Sequence, residues 1–176
     1  MRIIGGRFRG KRLQTPKDQS IRPTSDRVRE SLFNILEHHH SPNGLRFLDL
    51  FCGTGAVGLE AYSRGAIEVC LMDQDLSLAR ANLRAFGEPE IVRLKQQSLL
   101  EHGQPPALFN VAFLDPPYLK SLLEPTLELL HEGWLAENAW VIAELAAKEA
   151  VQVPEGFFLR QERRYGRTRL IFLGLK

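Results

Sequence analysis

The chain has 176 residues, a length that favours one domain able to bury its own core. It contains no run of about 18 apolar residues that could span a bilayer, and its N-terminus lacks the apolar stretch of a signal peptide, so we expect a cytoplasmic protein. Its two cysteines, Cys52 and Cys70, lie among apolar residues and without a second cysteine at metal-ligand spacing, which predicts buried thiols and no metal site.

Positive charge is concentrated near the N-terminus. Residues 1–40 contain nine Lys or Arg and four Asp or Glu, whereas the rest of the chain contains fourteen and seventeen. Phosphate contacts supply most of the non-specific affinity of proteins for nucleic acids. The distribution therefore favours a basic arm that contacts nucleic acid beside a near-neutral catalytic body. A basic segment that is merely solvated is the alternative.

The first elements in chain order are a hairpin and a helix. Two β-compatible stretches, Arg2–Ile4 and Lys11–Leu13, flank a loop with three glycines, so residues 1–20 are predicted to form a basic β-hairpin extension and residues 21–176 the main domain. Thr24 or Ser25 can then cap a helix whose apolar positions recur at helical spacing as far as Glu37. The three histidines that follow point in different directions at a helix end, which predicts an exposed linker rather than a metal site.

From Arg46 onward, apolar stretches alternate with amphipathic ones. This alternation predicts right-handed βαβ units and a mostly parallel sheet of seven strands covered by helices. The last two strands are predicted to form an antiparallel hairpin at the sheet edge. The predicted strands are Phe47–Phe51, Ile67–Asp73, Ile91–Lys95, Val111–Asp115, Ala139–Glu144, Phe157–Arg164 and Arg169–Leu173, and the predicted helices are Ala56–Arg64, Leu76–Phe86 and Leu119–His131.

A glycine-containing loop, Asp49–Gly55, lies where the first strand of this sheet ends and the next helix begins, the place where open α/β sheets bind ligands. It lacks the Lys-Ser/Thr of a phosphate-binding P-loop. Strand two ends in Asp73, where a carboxylate can bind both hydroxyls of a ribose. Asp49 would repel a pyrophosphate but attract the amino and sulfonium charges of S-adenosylmethionine. A purely structural turn, with Asp49 as a capping residue, is the alternative.

A second loop, Asp115-Pro116-Pro117-Tyr118, closes the fourth parallel strand at the same edge of the sheet. The prolines stiffen it and leave its carbonyls free. If Asp115 and the Pro116 carbonyl accept hydrogen bonds from an exocyclic base amine, the lone pair of that amine can turn toward a methyl donor. Tyr118 could stack on the extruded base. The alternative is a proline strand terminator with an aromatic ring packed over it.

The chain resembles the RsmD family of 16S ribosomal RNA guanine-N2 methyltransferases. The motifs that carry the resemblance are Arg2–Gly6, Arg22–Asn34, Asp49–Gly55 with Gly58–Ala61, and Asp115–Tyr118. The resemblance implies a Rossmann-like class I S-adenosylmethionine-dependent methyltransferase fold with an N-terminal β-hairpin, and 16S RNA or the 30S subunit as substrate. We expect the protein to act as a monomer.

The resemblance also implies three groups of site residues. The implied residues are Asp115, Pro116, Pro117 and Tyr118 around the target amine; Asp49, Phe51, Cys52, Gly53, Gly55, Asp73, Gln74 and Ser98 around the cofactor; and Arg7, Arg9, Lys11, Arg12, Arg22, Thr24 and Arg27 toward the RNA. Two positions depart from the family pattern. Asp73 stands where relatives commonly carry Glu, and Ser98 stands where many carry Asp or Asn, although a serine hydroxyl can still accept a hydrogen bond.

Three other functions are consistent with parts of this pattern. An adenine-N6 DNA methyltransferase would use the same acceptor loop, but it usually needs a separate recognition domain for which this length leaves no room. A protein-glutamine methyltransferase typically carries Asn at the position of Asp115, and the basic arm would lack a purpose. A non-catalytic RNA-binding assembly protein would keep the fold, but here every chemical position has a candidate residue.

Overall fold

A computed structural model describes residues 1–16, 24–39, 44–96, 105, 107–117 and 122–176. In this part of the chain seven strands form one sheet in the order β3-β2-β1-β4-β5-β7-β6. Among these strands only β7 runs antiparallel to the other six, which confirms the predicted mostly parallel sheet with an antiparallel C-terminal strand. The strands are β1 (Arg46–Leu50), β2 (Glu68–Asp73), β3 (Val92–Gln96), β4 (Phe109–Leu114), β5 (Leu135–Ala146), β6 (Phe157–Tyr165) and β7 (Thr168–Leu175).

Helices cover both faces of the sheet. Apolar side chains of the first three helices pack with Phe47, Phe113 and Ile142 on one face, whereas the fourth packs with Leu48 and Leu114 on the other. Burial on both faces explains why the central strands read as continuous apolar runs rather than as alternating ones. The helices are α1 (Asp26–His39), α2 (Ala56–Ser63), α3 (Ser77–Arg84) and α4 (Leu123–His131), and a short 3-10 helix spans Gly6–Phe8.

Helix α1 begins at Asp26, directly after the predicted capping positions Thr24 and Ser25, and ends beyond the predicted limit at Glu37. Ser25 is the capping residue, because its Oγ accepts a hydrogen bond from the Val28 N–H at 3.3 Å. At the other end the helix continues to His39, whose ring lies 4.9 Å from the Trp140 ring. Packing against an aromatic residue of β5 thus extends a helix end that the histidines alone would not predict.

Strand β5 is twice as long as predicted, and it contains an irregularity. Its register with β4 shifts between Phe109, which pairs with Leu135, and Val111, which pairs with Trp140. Asn138 has a positive φ of 62° within the shift, a conformation that Asn tolerates better than most residues. The predicted strand Ala139–Glu144 is the regular part that follows this bulge.

The N-terminal segment, residues 1–16, forms a short antiparallel hairpin, in which Arg2 bridges Arg12 and the N–H groups of Ile3 and Leu13 donate to the carbonyls of Lys11 and Met1 at 2.9 and 3.1 Å. Its Ile3 and Leu13 side chains are buried in the same apolar cluster as α1, α2 and α3. The backbone N–H groups of Ile4 and Gly5 both donate to the carboxylate of Glu60, at 2.8 and 2.7 Å. The segment is therefore packed on α2, and the division of the chain at residue 20 stays a prediction.

Two predicted absences concern membranes and metals. None of the described helices is long and apolar enough to cross a bilayer. No cluster of His, Cys, Asp or Glu that could hold a metal ion occurs among the described residues. Both cysteines are free and buried, and burial raises the pKa of the Cys70 thiol to about 11, as expected for thiols of the core.

Candidate active site

Carboxylates lie side by side where neighbouring strands end. Asp49 of β1 pairs with Leu71 of β2 and with Phe113 of β4. Asp73 lies two positions after Leu71, and Asp115 lies two positions after Phe113. Side chains two positions apart lie on the same face of a strand. The three carboxylates therefore share the sheet face that α1, α2 and α3 cover.

Glu144 continues this line onto β5. Phe113 pairs with Ile142, and Asp115 and Glu144 each lie two residues further along their strands. Adjacent strands are about 4.8 Å apart, so the two side chains are neighbours. We call the set of Asp73, Asp49, Asp115 and Glu144, in the order of strands β2, β1, β4 and β5, the carboxylate row.

Two members of the carboxylate row, Asp49 and Asp115, have raised pKa values. Burial raises the pKa of Asp49 to about 7, and the negative charge of Asp73 adds to the shift. Burial also raises the pKa of Asp115 well above its usual value, followed in size by the repulsion of Glu144, Asp49 and Asp73. Each group would ionise more readily beside a cation. The row is thus an electrostatic site for a positively charged ligand or for protons.

The glycine loop next to the row has an unusual backbone. Phe51, Gly53 and Gly55 have positive φ angles of 59°, 50° and 72°. Such a conformation is costly for a bulky residue such as Phe51, and residues of this kind concentrate at functional sites. Asp73 holds the loop in place, because its Oδ2 accepts a hydrogen bond from the Gly53 N–H at 2.8 Å. A Cβ added at Gly53 would meet no described atom within 4 Å, so the loop faces open space there.

Asp49 also organises the start of α2. Its carboxylate is buried, and Oδ2 accepts a hydrogen bond from the Gly58 N–H at 2.8 Å in the first turn of the helix. The helix dipole stabilises a negative charge at this end. The structure thus supports the capping role considered for Asp49. Because a carboxylate offers about four lone-pair sites, capping does not exclude contact with a ligand.

The other predicted cofactor residues surround this loop. The Cys52 N–H donates to the Met72 carbonyl at 3.2 Å, and burial raises the pKa of the Cys52 thiol, which leaves it protonated. Gln74 is exposed directly after Asp73, and Phe51 is half-buried. Ser98 lies outside the described residues.

The acceptor loop begins at the centre of the carboxylate row. The Asp115 N–H donates to the Leu50 carbonyl at 3.3 Å, which ties the end of β4 to β1. Pro116 is buried and Pro117 is exposed. Tyr118 lies outside the described residues, so its stacking role stays a prediction.

Beyond Asp115, Glu144 lines a cavity of about 320 Å³ between the start of α1 and the turn from β6 to β7. Sequence reasoning included Glu144 only as a strand end. It is 5% exposed, and its Oε2 accepts a hydrogen bond from the Thr24 hydroxyl at 2.6 Å. The available signal was a charged residue at the carboxyl end of an apolar strand. Thr24, predicted to face RNA, is itself buried by this contact.

The predicted RNA-facing residues fall into two places. Arg7 lies over the Tyr62 ring at 4.1 Å and Lys11 over the Phe86 ring at 4.8 Å, while Arg9 and Arg12 are exposed on the same segment. Arg27 lines the cavity on the first turn of α1. Arg22 lies outside the described residues.

Two residues to which the sequence analysis assigned no role join the N-terminal segment to the site. Besides binding Ile4 and Gly5, the Glu60 carboxylate accepts a hydrogen bond from the Arg64 Nε–H at 2.8 Å. Asn82 accepts a hydrogen bond from the Gln14 N–H at 2.7 Å and donates to the Thr54 carbonyl of the glycine loop at 2.9 Å. Apart from Arg64, these partners are 28 to 68 residues away, so nothing in the local sequence indicates them.

Comparison with known proteins identifies the family. The family model described as Conserved hypothetical protein 95 matches residues 1–174. Ribosomal RNA small subunit methyltransferase D of Escherichia coli K12 is 38% identical over 178 aligned residues, which cover 96% of this chain and 86% of that protein. The protein of the same name from Haemophilus influenzae is 34% identical and covers 94% and 89%.

A solved structure agrees with this result. The Escherichia coli protein yhhF superimposes with a TM-score of 0.86 at 34% identity, covering all of this chain and 98% of that one. The chain therefore belongs to the Conserved hypothetical protein 95 family, the RsmD family of the sequence resemblance, and has the Rossmann-like class I methyltransferase fold.

Proposed function

We propose that this protein transfers a methyl group from S-adenosylmethionine to the exocyclic N2 amine of a guanine in 16S ribosomal RNA. The sequence resemblance implies position 966 of that RNA as the target guanine. The observation that carries the proposal is the carboxylate row, in which Asp115 lies between a cofactor side and a cavity. The names of the two relatives support ribosomal RNA as the substrate class.

The donor side fits S-adenosylmethionine in shape and charge. When bound, this molecule supplies a methyl group on a positively charged sulfonium, and its amino group carries a second positive charge. Asp49 is buried with a pKa raised to about 7, so a cation beside it restores its ionised form. Asp73 ends strand β2 where a ribose would be bound, and the open space at Gly53 admits a ligand close to the backbone.

The acceptor side fits an amine that is a poor nucleophile. The lone pair of a guanine N2 amine is delocalised into the ring, and hydrogen bonds to Asp115 and to the Pro116 carbonyl would turn it toward the methyl group. The amine nitrogen then forms a bond to the methyl carbon while the carbon–sulfur bond breaks, and its pair of electrons stays on sulfur. The raised pKa of Asp115 suits it to hold the proton that the amine afterwards loses.

RNA recognition rests on the exposed basic residues. Arg9 and Arg12 are exposed on a segment that Glu60 and Asn82 fix to the catalytic body. Phosphate contacts to these residues would therefore fix the orientation of the RNA relative to the catalytic body. We expect shape recognition of a folded RNA or of the 30S subunit, in the cytoplasm, by a monomer.

A methyl-transfer assay tests the proposal. Purified protein is incubated with labelled S-adenosylmethionine and, in parallel, with unmodified 16S RNA, 30S subunits or duplex DNA, and the product nucleosides are analysed. N2-methylguanosine at one position of the RNA is the expected result. N6-methyladenosine in DNA would instead support the DNA-methyltransferase alternative, and cofactor binding without any transfer would support a non-catalytic RNA-binding protein.

A further inference from the structure

The cavity beside Glu144 is not explained by cofactor binding. It lies at the β5 end of the carboxylate row, beyond Asp115, whereas the glycine loop and Asp73 lie at the β1 and β2 end. Its volume of about 320 Å³ is at the lower limit of the pockets that hold small molecules, about 300–1,000 Å³. A single nucleotide base is therefore a better match for it than a large ligand.

The walls of this cavity have the groups that a flipped nucleotide needs. Tyr165 supplies an aromatic surface, and its hydroxyl forms a hydrogen bond with that of Ser31, which limits rotation of the ring. Bases stack readily on such side chains. Arg27 and Arg164 line the cavity and are exposed, so both can reach the phosphates on either side of an extruded base.

Glu144 is the buried charged group in the cavity wall. Because it is 5% exposed and bound by the Thr24 hydroxyl, its position is fixed from within the protein. The bond from Thr24 is one of the interactions of Glu144, and a carboxylate, with about four acceptor sites, can bind several donors at once. An ionised carboxylate accepts hydrogen bonds but donates none, so Glu144 in this form can bind only base edges that present a donor.

We propose that this cavity receives the flipped guanosine and that Glu144 is the specificity-determining residue, accepting a hydrogen bond from guanine N1–H while the neighbouring Asp115 accepts one from the N2 amine. This inference rests on the proposed function. The two donors are adjacent on the Watson–Crick edge of guanine, and the two carboxylates are adjacent on strands β4 and β5. Adenine presents an acceptor at N1, which would face an acceptor oxygen of Glu144 with no hydrogen between them.

The matching test uses a base that keeps the reactive amine but loses the N1 donor. 2,6-Diaminopurine has the exocyclic 2-amine of guanine, and its N1 is an acceptor. 16S RNA is assembled by ligation so that the mapped acceptor position carries either guanosine or 2,6-diaminopurine riboside, and it is supplied in whichever form, free or in 30S subunits, the wild-type protein methylates. We expect kcat/KM to be about tenfold to a hundredfold higher for guanosine, and equal values would overturn the inference.

A substitution at the proposed contact completes the test. Glu144→Gln keeps the size of the side chain and adds an amide donor for N1 of 2,6-diaminopurine, so the preference for guanosine should fall by at least tenfold while the affinity for S-adenosylmethionine stays the same. Glu137→Gln removes the same charge from an exposed position of β5 and serves as the control. A variant that loses activity equally on both bases would contradict a specificity role.

The comparison of bases by the wild-type protein does not depend on the folding of any variant. If the wild-type protein makes no N2-methylguanosine at all, the proposed function fails. If it makes that product but does not distinguish the two bases, only the role of Glu144 fails.

Discussion

The two halves of the candidate active site are built in different ways. The cofactor half consists of Asp49, the loop Phe51–Gly55 and Asp73, and it comes from one βαβ unit. The acceptor half consists of Asp115, the adjoining prolines and the cavity beside Glu144, and it combines the start of α1, two central strands and the turn from β6 to β7. The residues of the cofactor half are close together in the chain, whereas those of the acceptor half come from distant segments. Substitutions in the two halves should therefore have separable effects.

The largest separation is expected for Asp115→Ala. Loss of the carboxylate removes the group proposed to orient the amine, so kcat should fall by about 100- to 1,000-fold, the range for a lost electrostatic contact to a reacting group. Isothermal titration should show S-adenosylmethionine binding within about threefold of wild type. Asp115→Asn keeps one acceptor oxygen and should retain more activity. Loss of cofactor binding in the alanine variant would show that Asp115 belongs to the cofactor half and would contradict its assignment to the acceptor half.

Asp49→Asn should show the opposite pattern. The amide can still accept the Gly58 N–H, but the attraction for a cationic ligand is lost, so cofactor affinity should fall by about tenfold to a hundredfold. Asp75→Asn, which removes an exposed carboxylate near the same loop, is the matched control and should leave the affinity nearly unchanged.

The same variant tests the raised pKa of Asp49. Since this pKa is about 7 in the folded protein and 3.8 for an ordinary aspartate, the folded state binds more protons between these values. The contribution of Asp49 to the free energy of unfolding therefore falls as pH rises from about 4 through about 7. Without ligand, Asp49→Asn should be more stable than wild type at pH 8, by on the order of 1–3 kcal/mol, and the gain should shrink toward pH 5 in thermal unfolding. A constant gain would contradict the pKa shift.

Gly58→Ala is a packing test of the cofactor half. A Cβ at this position would lie 2.2 Å from Leu71 Cδ2 and 3.2 Å from Asp49 Oδ2, so neighbouring atoms must move. Overpacking of this kind costs about 1–3 kcal/mol, whereas alanine in a helix ordinarily stabilises by about 1 kcal/mol over glycine. A lower melting temperature with weaker cofactor binding is expected. A rise in melting temperature would mean that the side chains around Gly58 can make room for a methyl group, and it would contradict the expected overpacking.

The smallest effect is expected at the N-terminal segment, which neither half contains. Replacing Arg9 and Lys11 together by Glu should weaken RNA binding by about tenfold. The slope of log affinity against log salt concentration should become less steep, by an amount that corresponds to the loss of up to about two phosphate contacts. Cofactor affinity should not change. Arg93→Glu with Lys176→Glu makes the same charge change at other exposed positions and is the control. Equal losses of RNA and cofactor binding would indicate misfolding instead.

Much of the cofactor half was accessible from sequence. The glycines of Asp49–Gly55 and the aspartate at the end of the next strand are close in the chain, and backbone sterics at a strand-to-helix turn leave few arrangements for them. The prediction that Asp49 has a capping role and the prediction that it attracts a ligand were posed as alternatives. The structure makes the first role a fact and leaves room for the second.

The acceptor half shows where local patterns stop being informative. Asp115 was predicted from its loop, but Glu144 was not, because its partner Thr24 is 120 residues away in the chain. Likewise, the N-terminal hairpin was predicted from its local pattern, but the burial of Ile3 and Leu13 against α1, α2 and α3 is decided by packing between distant elements.

The sequence by itself determined the alternation of strands and helices, the mostly parallel sheet and the loops at its carboxyl edge, since these follow from apolar periodicity and turn residues over short distances. Only the tertiary structure decided that four carboxylates share one face, that Glu144 lines a cavity and that the N-terminal segment is fastened to α2. Those features depend on strand register and on side-chain contacts between distant residues, which the free energy of the whole packed core selects.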